Sequence, residues 1–382
     1  MKKTGVSSKI NLVCSLLFAV FVFLYLLFFQ GDLLFYAQHV LSDGMTVYNP
    51  LIGAVILTTL ALLMSFLSSR TFTRNFSFLP ALHYMPSALI IAALTDIHIV
   101  GESGGNVFGK VWVVSIVLFT LLVIVNSIIK GLPMNTHNVT PIGLMRSVAS
   151  NMFAMFCITI LIVALGNTDE KDHLRLHAEM LLTQNHFEEA SEVGKVQYVC
   201  SEAFTMIRAY ALGETGEIGE RFFEYPVVGD ANSLLPSKKN ALLILPAIDL
   251  YKFIGGIPSP GMDARECIRL LAKRNKLNNK ARDYKYLSRL IDRDLDGFVG
   301  YLKNDSVSVD SLPKHYREAL TLYNHLRTVP VLEYSSPEMD TDFKDFQDLL
   351  KKNPNKVLRE NAMRDSYGNT YWFYYNSAPK TK

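Results

Sequence analysis

Asp292-Arg293-Asp294-Leu295-Asp296-Gly297 opens like an EF-hand calcium loop, with carboxylates at alternate positions and a glycine at the sixth. The twelfth position should supply a bidentate glutamate, and this chain has Lys303 there. Leu287, Leu290, Ile291, Leu295, Phe298, Tyr301 and Leu302 also keep helical spacing through the segment. The acids therefore read as the solvated face of one amphipathic helix. His173 and His177 stand four apart and would share a helix face, a spacing that can bind zinc. The residues between them, Leu174-Arg175-Leu176, lack the glutamate of a zinc-protease motif, so a packing or surface role is expected. Gly101-Glu102-Ser103-Gly104-Gly105 reads as an exposed turn and lacks the flanking strand and helix of a phosphate loop. No nucleophile elbow and no C-x-x-C pair occurs, and neither a metal nor a cofactor is expected.

Two other groups merit attention. His83, Asp96 and His98 interrupt an otherwise apolar run, Pro80–Ile99. An ionisable group inside a membrane segment is by default a functional hypothesis. Asp96 lies about 24 Å along such a helix from Pro80, near its outer end, where a carboxylate reaches water. His98, two residues on, would not share a helical face with Asp96. The readings are an interfacial or structural group, or part of a polar cavity. At the other end of the chain Tyr367, Tyr371 and Tyr375 form a four-residue stripe beside Trp372. They read either as a final helix packed onto its neighbours or as a surface for a membrane interface or partner.

The elements that must position these residues fall into two halves. Residues 1–166 hold eight Lys/Arg and four Asp/Glu, a net +4, and residues 167–382 hold 30 and 31, a net −1. The near-neutral second half has no electrostatic footprint for nucleic acid, and none is expected as a partner. Five apolar runs, 12–29, 51–67, 80–99, 111–129 and 148–165, are each close to the ~20 residues that cross ~30 Å of hydrocarbon. Lys2, Lys3, Lys9, Arg70, Arg74, Lys130 and Arg146 then fall on one side and Lys110 alone in the short loops of the other. Basic loops stay cytoplasmic, so the N-terminus is expected inside and residues 167–382 outside. The first run has no A-x-A-like cleavage site after it and reads as an uncleaved span. Cys200 and Cys267 would then face an oxidising compartment, and both a disulfide and two buried free thiols are open.

From Lys171 the pattern becomes amphipathic helices with short turns, at Gln184–His186 and Gly213–Gly216. Leu174, Ala178, Leu181, Phe187 and Ala190 resemble a tetratricopeptide repeat, with Ala209, Leu212, Gly216 and Ile218 echoing part of it. His315-Tyr316-Arg317-Glu318-Ala319, with Tyr323 and Leu326, resembles the second helix of another unit. Arg221 stands where a small residue belongs, and Gly194 where an aromatic does. The likeness implies that Ala190 sits where paired helices touch and that Ser191, about 100° around the helix, faces solvent.

The whole chain also resembles a family of uncharacterised membrane proteins from Bacteroidales-type bacteria. The stretches that carry this are Gln30-Gly31-Asp32-Leu33-Leu34, Ala37-Gln38-His39-Val40-Leu41, Leu312-Pro313-Lys314-His315-Tyr316 and Tyr367-Gly368-Asn369-Thr370-Tyr371-Trp372. That likeness implies a Gram-negative inner membrane and no particular chemistry. The expected fold is all-α: five transmembrane helices (1–166), then a periplasmic tetratricopeptide-like solenoid (167–382). The expected function is a membrane-anchored scaffold for an envelope protein partner. An envelope transporter or transporter subunit is the first alternative. A transferase on a lipid-linked substrate, using Asp32, His39 and Asp43 of the first outer loop, is the second.

Overall fold

The computed structural model describes residues 2–72, 79–99, 106–130, 141–195, 200–237, 240–352 and 355–377. Arg74 and the Gly101–Gly105 stretch lie outside these described residues. Among the described residues there is no strand, only isolated bridges at Ile97–Phe108 and Ser237–Asn240. Two compact units divide the chain, Met1–Leu176 and His177–Lys382.

The first unit begins with α1 (Lys2–Leu24), a π turn (Tyr25–Phe29) and α2 (Gly31–Leu41). Next come α3 (Pro50–Phe72), a 3-10 stretch (Pro80–Tyr84) continuing into α4 (Met85–Thr95), α5 (Val111–Lys130) and α6 (Pro141–Leu165). Four segments are long and apolar enough to cross a membrane: Lys9–Phe29, Pro50–Arg70, Val111–Ile128 and Met145–Leu165. They coincide with the first, second, fourth and fifth runs. The third is shorter, Pro80–Thr95. It stops short of the expected Ile99 because Asp96 leaves helical backbone at φ −81°, ψ 64°.

That third segment is the centre of the unit, with α4 packed against α3, α5 and α6. Lipid supplies no hydrophobic drive between helices, so close packing of small residues and interhelical hydrogen bonds must hold them. Ala54, Thr58, Ala61, Ser65 and Ser68 recur at steps of four and three on one buried face of α3. From α4, Ser87 Oγ donates to the Ala61 carbonyl at 2.8 Å and meets Ser65 Oγ at 2.8 Å. Ser115 of α5 donates to the Leu89 carbonyl at 3.1 Å. Asn151 of α6 accepts the Ala81 N–H at 3.0 Å, satisfying an amide at the start of the 3-10 stretch.

Helix α7 (Glu170–Thr183) contains the unit boundary. Beyond it are α8 (Phe187–Glu192), α9 (Glu202–Thr215), α10 (Ile218–Arg221), α11 (Ala247–Ile254) and α12 (Ala264–Lys273). The rest are α13 (Tyr284–Ile291), α14 (Leu295–Asn304), α15 (Lys314–Leu326), α16 (Pro337–Lys352), α17 (Lys356–Tyr367) and α18 (Tyr371–Ser377). Side-chain caps start several of them: Ser201 on α9, Asp263 on α12, Asp294 on α14 and Asn355 on α17. Gly216 and Gly255, both left-handed, end α9 and α11.

In the second unit α9 is the hub, buried continuously from Ala203 to Gly213. It packs against α8 and against the 3-10 turns at Ala231–Leu234 and Asn279–Ala281. Helix α10 packs on the sequence-distant α15, and Glu220 accepts the Lys314 N–H at 3.2 Å. Repeats in a linear stack touch only their neighbours. Here helices far apart in sequence close on each other, a tighter arrangement than a solenoid.

Ala190 is fully buried, and so is Ser191, whose hydroxyl donates to the Glu188 carbonyl at 2.8 Å. The expected solvent-facing position is therefore taken by Glu188, not Ser191. Overfilling a packed site costs about 1–3 kcal/mol. Ala190→Leu should destabilise the helical unit by that much, read as a lower urea midpoint, with Glu188→Leu close to the parent. Equal midpoints for the two would show that the α8–α9 contact is not tight.

Candidate functional site

The polar groups of the third segment converge where α4 ends. Because the helix has ended at Thr95, residues 96 and 98 are no longer turned about 200° from each other. His98 Nε2 thus lies 3.1 Å from Asp96 Oδ1. The expectation that they diverge assumed a helix that is not there. The Asp96 side chain is 8% exposed and that of His98 58%. The other carboxylate oxygen, Oδ2, accepts the Val111 N–H at 2.9 Å, and Val111 opens α5. A carboxylate there neutralises orphan amides and the positive end of the helix dipole. Backbone bonds reinforce it, from Gly109 N–H to the Asp96 carbonyl (2.7 Å) and from His98 N–H to the Val107 carbonyl (2.8 Å). A Cβ on Gly109 would collide with the Asp96 carboxylate, so a side chain there would displace the cap.

The same junction gathers α1 and α6. Gln30 N–H bonds the Tyr25 carbonyl five residues back at 3.0 Å, the bond that defines a π turn. Its side-chain amide donates to Tyr25 Oη and to the Asn167 carbonyl, both at 3.0 Å. Asn167 in turn donates from Nδ2 to the Ile97 carbonyl at 2.6 Å and from its backbone to Thr95 at 2.9 Å. Asp96, Gln30 and Asn167 therefore stitch the ends of α1, α4, α5 and α6 together. His83 is not part of this group. It is buried in the 3-10 stretch at the opposite end of the segment, with Nε2 unpartnered. Asp32 and Asp43 do not converge either: Asp32 is in the first turn of α2 and Asp43 follows its last residue.

The second unit carries an open cleft of about 590 Å³, lined by Leu181 and Val193 with His177, Glu188, Glu189, Glu192 and Arg221 around them. Arg221 explains its own presence where the repeat pattern wants a small residue. It bonds Glu192, Glu217 Oε2 (2.8 Å) and Tyr225 Oη (2.9 Å), clamping α8 to α10. Burial works to raise the Glu192 carboxyl, but Tyr225, Lys195 and Arg221 outweigh it and hold it below its ordinary range. Burial, aided by Glu192, lifts the Tyr225 phenol to about 12. Behind them Arg208 is buried between the rings of Phe204 and Tyr225, donating to the Val193 (3.0 Å) and Pro226 (3.3 Å) carbonyls. Burial lowers this guanidinium to about 10. Its helical neighbours Phe204, Ala211 and Leu212 are apolar, and that is the sequence signal for an interior Arg208.

In the C-terminal part the calcium-like segment is not one helix. Arg293, left-handed at φ 58°, breaks it between α13 and α14. The three acids then part company. Asp292 pairs with Arg265 (2.7 Å) and accepts the Ala231 N–H. Asp294 caps α14 and pairs with Arg289 (2.8 Å), and Asp296 pairs with Arg327 (2.6 Å). Among the described residues no three of His, Cys, Asp and Glu gather as metal ligands. Cys200 is an exposed free thiol and Cys267 a buried one. Tyr371 and Trp372 are buried, which removes them from any surface, while Tyr367 and Tyr375 are half-buried. Tyr371 Oη and Tyr374 Oη donate to the Leu290 (3.1 Å) and Ile291 (2.7 Å) carbonyls, sealing the end of α13. Glu318 accepts from His315 Nδ1 at 2.9 Å and from the Tyr371 N–H at 2.7 Å, and Trp372 Nε1 donates to the Glu318 carbonyl at 2.7 Å.

Residues 260–378 match DUF6057, a family of unknown function. The DUF6057 stretch covers α12 to α18, the part held together by the His315–Glu318–Tyr371 contacts. It includes the Leu312–Tyr316 and Tyr367–Trp372 segments. No curated protein and no solved structure matches the chain.

Proposed function

We propose that the chain is an envelope anchor and scaffold: five membrane crossings in a Gram-negative inner membrane, carrying a periplasmic helical unit that docks a protein partner. The observation that carries this reading is the open cleft lined by Leu181 and Val193, with Glu188, Glu189, Glu192 and Arg221 around them. Packed helices with such a surface can bind partners without catalytic groups. A fifth crossing is consistent with the length of the third segment. Five residues of 3-10 helix and eleven of α-helix rise about 26 Å, close to the ~30 Å of hydrocarbon. The engagement of Asp96 as a cap for α5 favours an anchor over a transport path, since its oxygens already serve protein groups.

Two measurements test the proposal. A reporter active only outside the cytoplasm should be active when fused after Gly166 or Lys382. After Arg74 or Gly131, both outside the described residues, it should be silent. A photoreactive side chain replacing Glu189, on the cleft rim, should then give a discrete protein adduct in cells, and the same group replacing Lys273, away from the cleft, should not. Activity after Arg74 would overturn the topology. The same adduct pattern at both positions would overturn the cleft as the docking site.

A further inference from the structure

We propose that the turn before α3, Gly44–Asn49, is a lipid-contacting wedge that seats Met45 and Val47 in the outer bilayer interface. The proposal rests on the reading of α3 as a membrane crossing. Met45 is 85% exposed and Val47 79%, among the most exposed large apolar side chains of the molecule. They are not on a slack loop. Gln38 Nε2 donates to Thr46 Oγ1 at 2.9 Å, the Thr46 N–H to Ser42 Oγ at 3.2 Å, and the Gly44 N–H to the His39 carbonyl at 2.8 Å.

The chain is also held at the height of the first turn of α3. Asn49 Oδ1 accepts the Ile52 N–H at 3.1 Å as a helix cap, and the Tyr48 ring lies so close over Gly53 that a Cβ there would collide with it. Val47 and Met45 therefore continue the exposed apolar edge that Leu51 and Ile52 begin. No Asp, Glu, Lys or Arg occurs from Gly44 to Ser69, so no charge separates the turn from α3. Thr46 and Asn49 are exposed polar side chains of the turn and suit the headgroup zone, while the Tyr48 hydroxyl is buried over Gly53. The occupant selected is the bilayer, because Met45 and Val47 stand beside the exposed aliphatic face of a helix that lipid must surround.

The test is tryptophan placed at three positions of the full chain in phosphatidylcholine vesicles, with the parent emission (Trp112 and Trp372) subtracted. Met45→Trp should give blue-shifted emission, quenched by lipid brominated near the headgroup and insensitive to aqueous iodide. Leu60→Trp, on the exposed face mid-way along α3, should be quenched by lipid brominated deep in the chain. Lys352→Trp, in the helical unit, should be quenched by iodide alone. Red-shifted, iodide-quenched emission from Met45→Trp, with Leu60→Trp still quenched by lipid, would overturn the wedge and spare the crossing. Loss of lipid quenching at Leu60→Trp would overturn both.

Discussion

Replacing Glu318 with alanine should destabilise the C-terminal helical unit by about 2–4 kcal/mol, since each buried donor left without an acceptor costs about 1–3 kcal/mol. Glu318 is 3% exposed and His315 fully buried. Removing the carboxylate strands two donors that have nowhere else to go, His315 Nδ1 and the Tyr371 N–H. The second loss matters most, because Tyr371 is the first residue of α18. With that helix loosened, the Tyr371 and Tyr374 hydroxyls leave the carbonyls at the end of α13 as well. Trp372, whose indole donates to the Glu318 carbonyl, is a local reporter. In a Trp112→Phe background, its fluorescence in urea should show the midpoint fall for Glu318→Ala. Glu318→Gln, which keeps an acceptor and the shape, should fall less. A midpoint for Glu318→Ala equal to the parent would mean that α18 is held by its rings alone.

Glu179→Ala should cost about 2–4 kcal/mol, since each buried amide left without a partner costs about 1–3 kcal/mol. The fully buried Glu179 reaches from α7 to accept the Leu243 and Ile244 N–H groups at 2.6 and 2.8 Å. Those amides belong to the irregular stretch before α11, which has no ladder of its own to satisfy them. Hydrogen exchange read by peptide mass should therefore quicken at 241–246 before it does in α9. Both amides bond the one oxygen Oε2, so Glu179→Gln, whose amide oxygen can take that place, should stay close to the parent. Unchanged exchange at 241–246 would show that this stretch is fixed by its apolar side chains instead.

The four long apolar helices were legible from composition because a lipid-facing segment must exclude charge along its whole length, and Leu12–Phe29 and Val111–Ile129 hold no Asp, Glu, Lys or Arg. The third segment was legible as apolar but not in its ending. Thr95 is where the helix stops because Asn167, seventy residues on, binds the Ile97 carbonyl and Asp96 turns to cap α5. Periodicity within a run carries no sign of such a partner. The calcium-like segment misled for a related reason. Leu290, Ile291 and Leu295 keep helical spacing whether the helix continues or breaks and restarts, and only the left-handed Arg293 tells the two apart. Ser191 shows the limit of counting degrees around a six-residue helix, which can be enclosed on most of its circumference. The Asp96–His98 contact and the Glu318–Tyr371 contact both depend on where a helix ends, and ends are the least determined feature of a hydropathy pattern.

The π turn at Tyr25–Phe29 has a consequence for how the first crossing tolerates change in length. A π turn holds one residue more than an α-helix needs, and the extra residue is taken up inside that turn, so the chain after it keeps the phase of α1. Excising a single residue between Tyr25 and Phe29 would let the Gln30 N–H reach the carbonyl it now bonds by an ordinary four-residue step, with its side-chain amide still on Asn167. Excising one residue from the regular helix before Tyr25 would instead turn every earlier side chain by about 100° against the polar junction, although those remaining would be as apolar as before. An apolar helix surrounded by lipid is usually forgiving of such edits. This one has a single turn in which a change of length is absorbed without a change of phase.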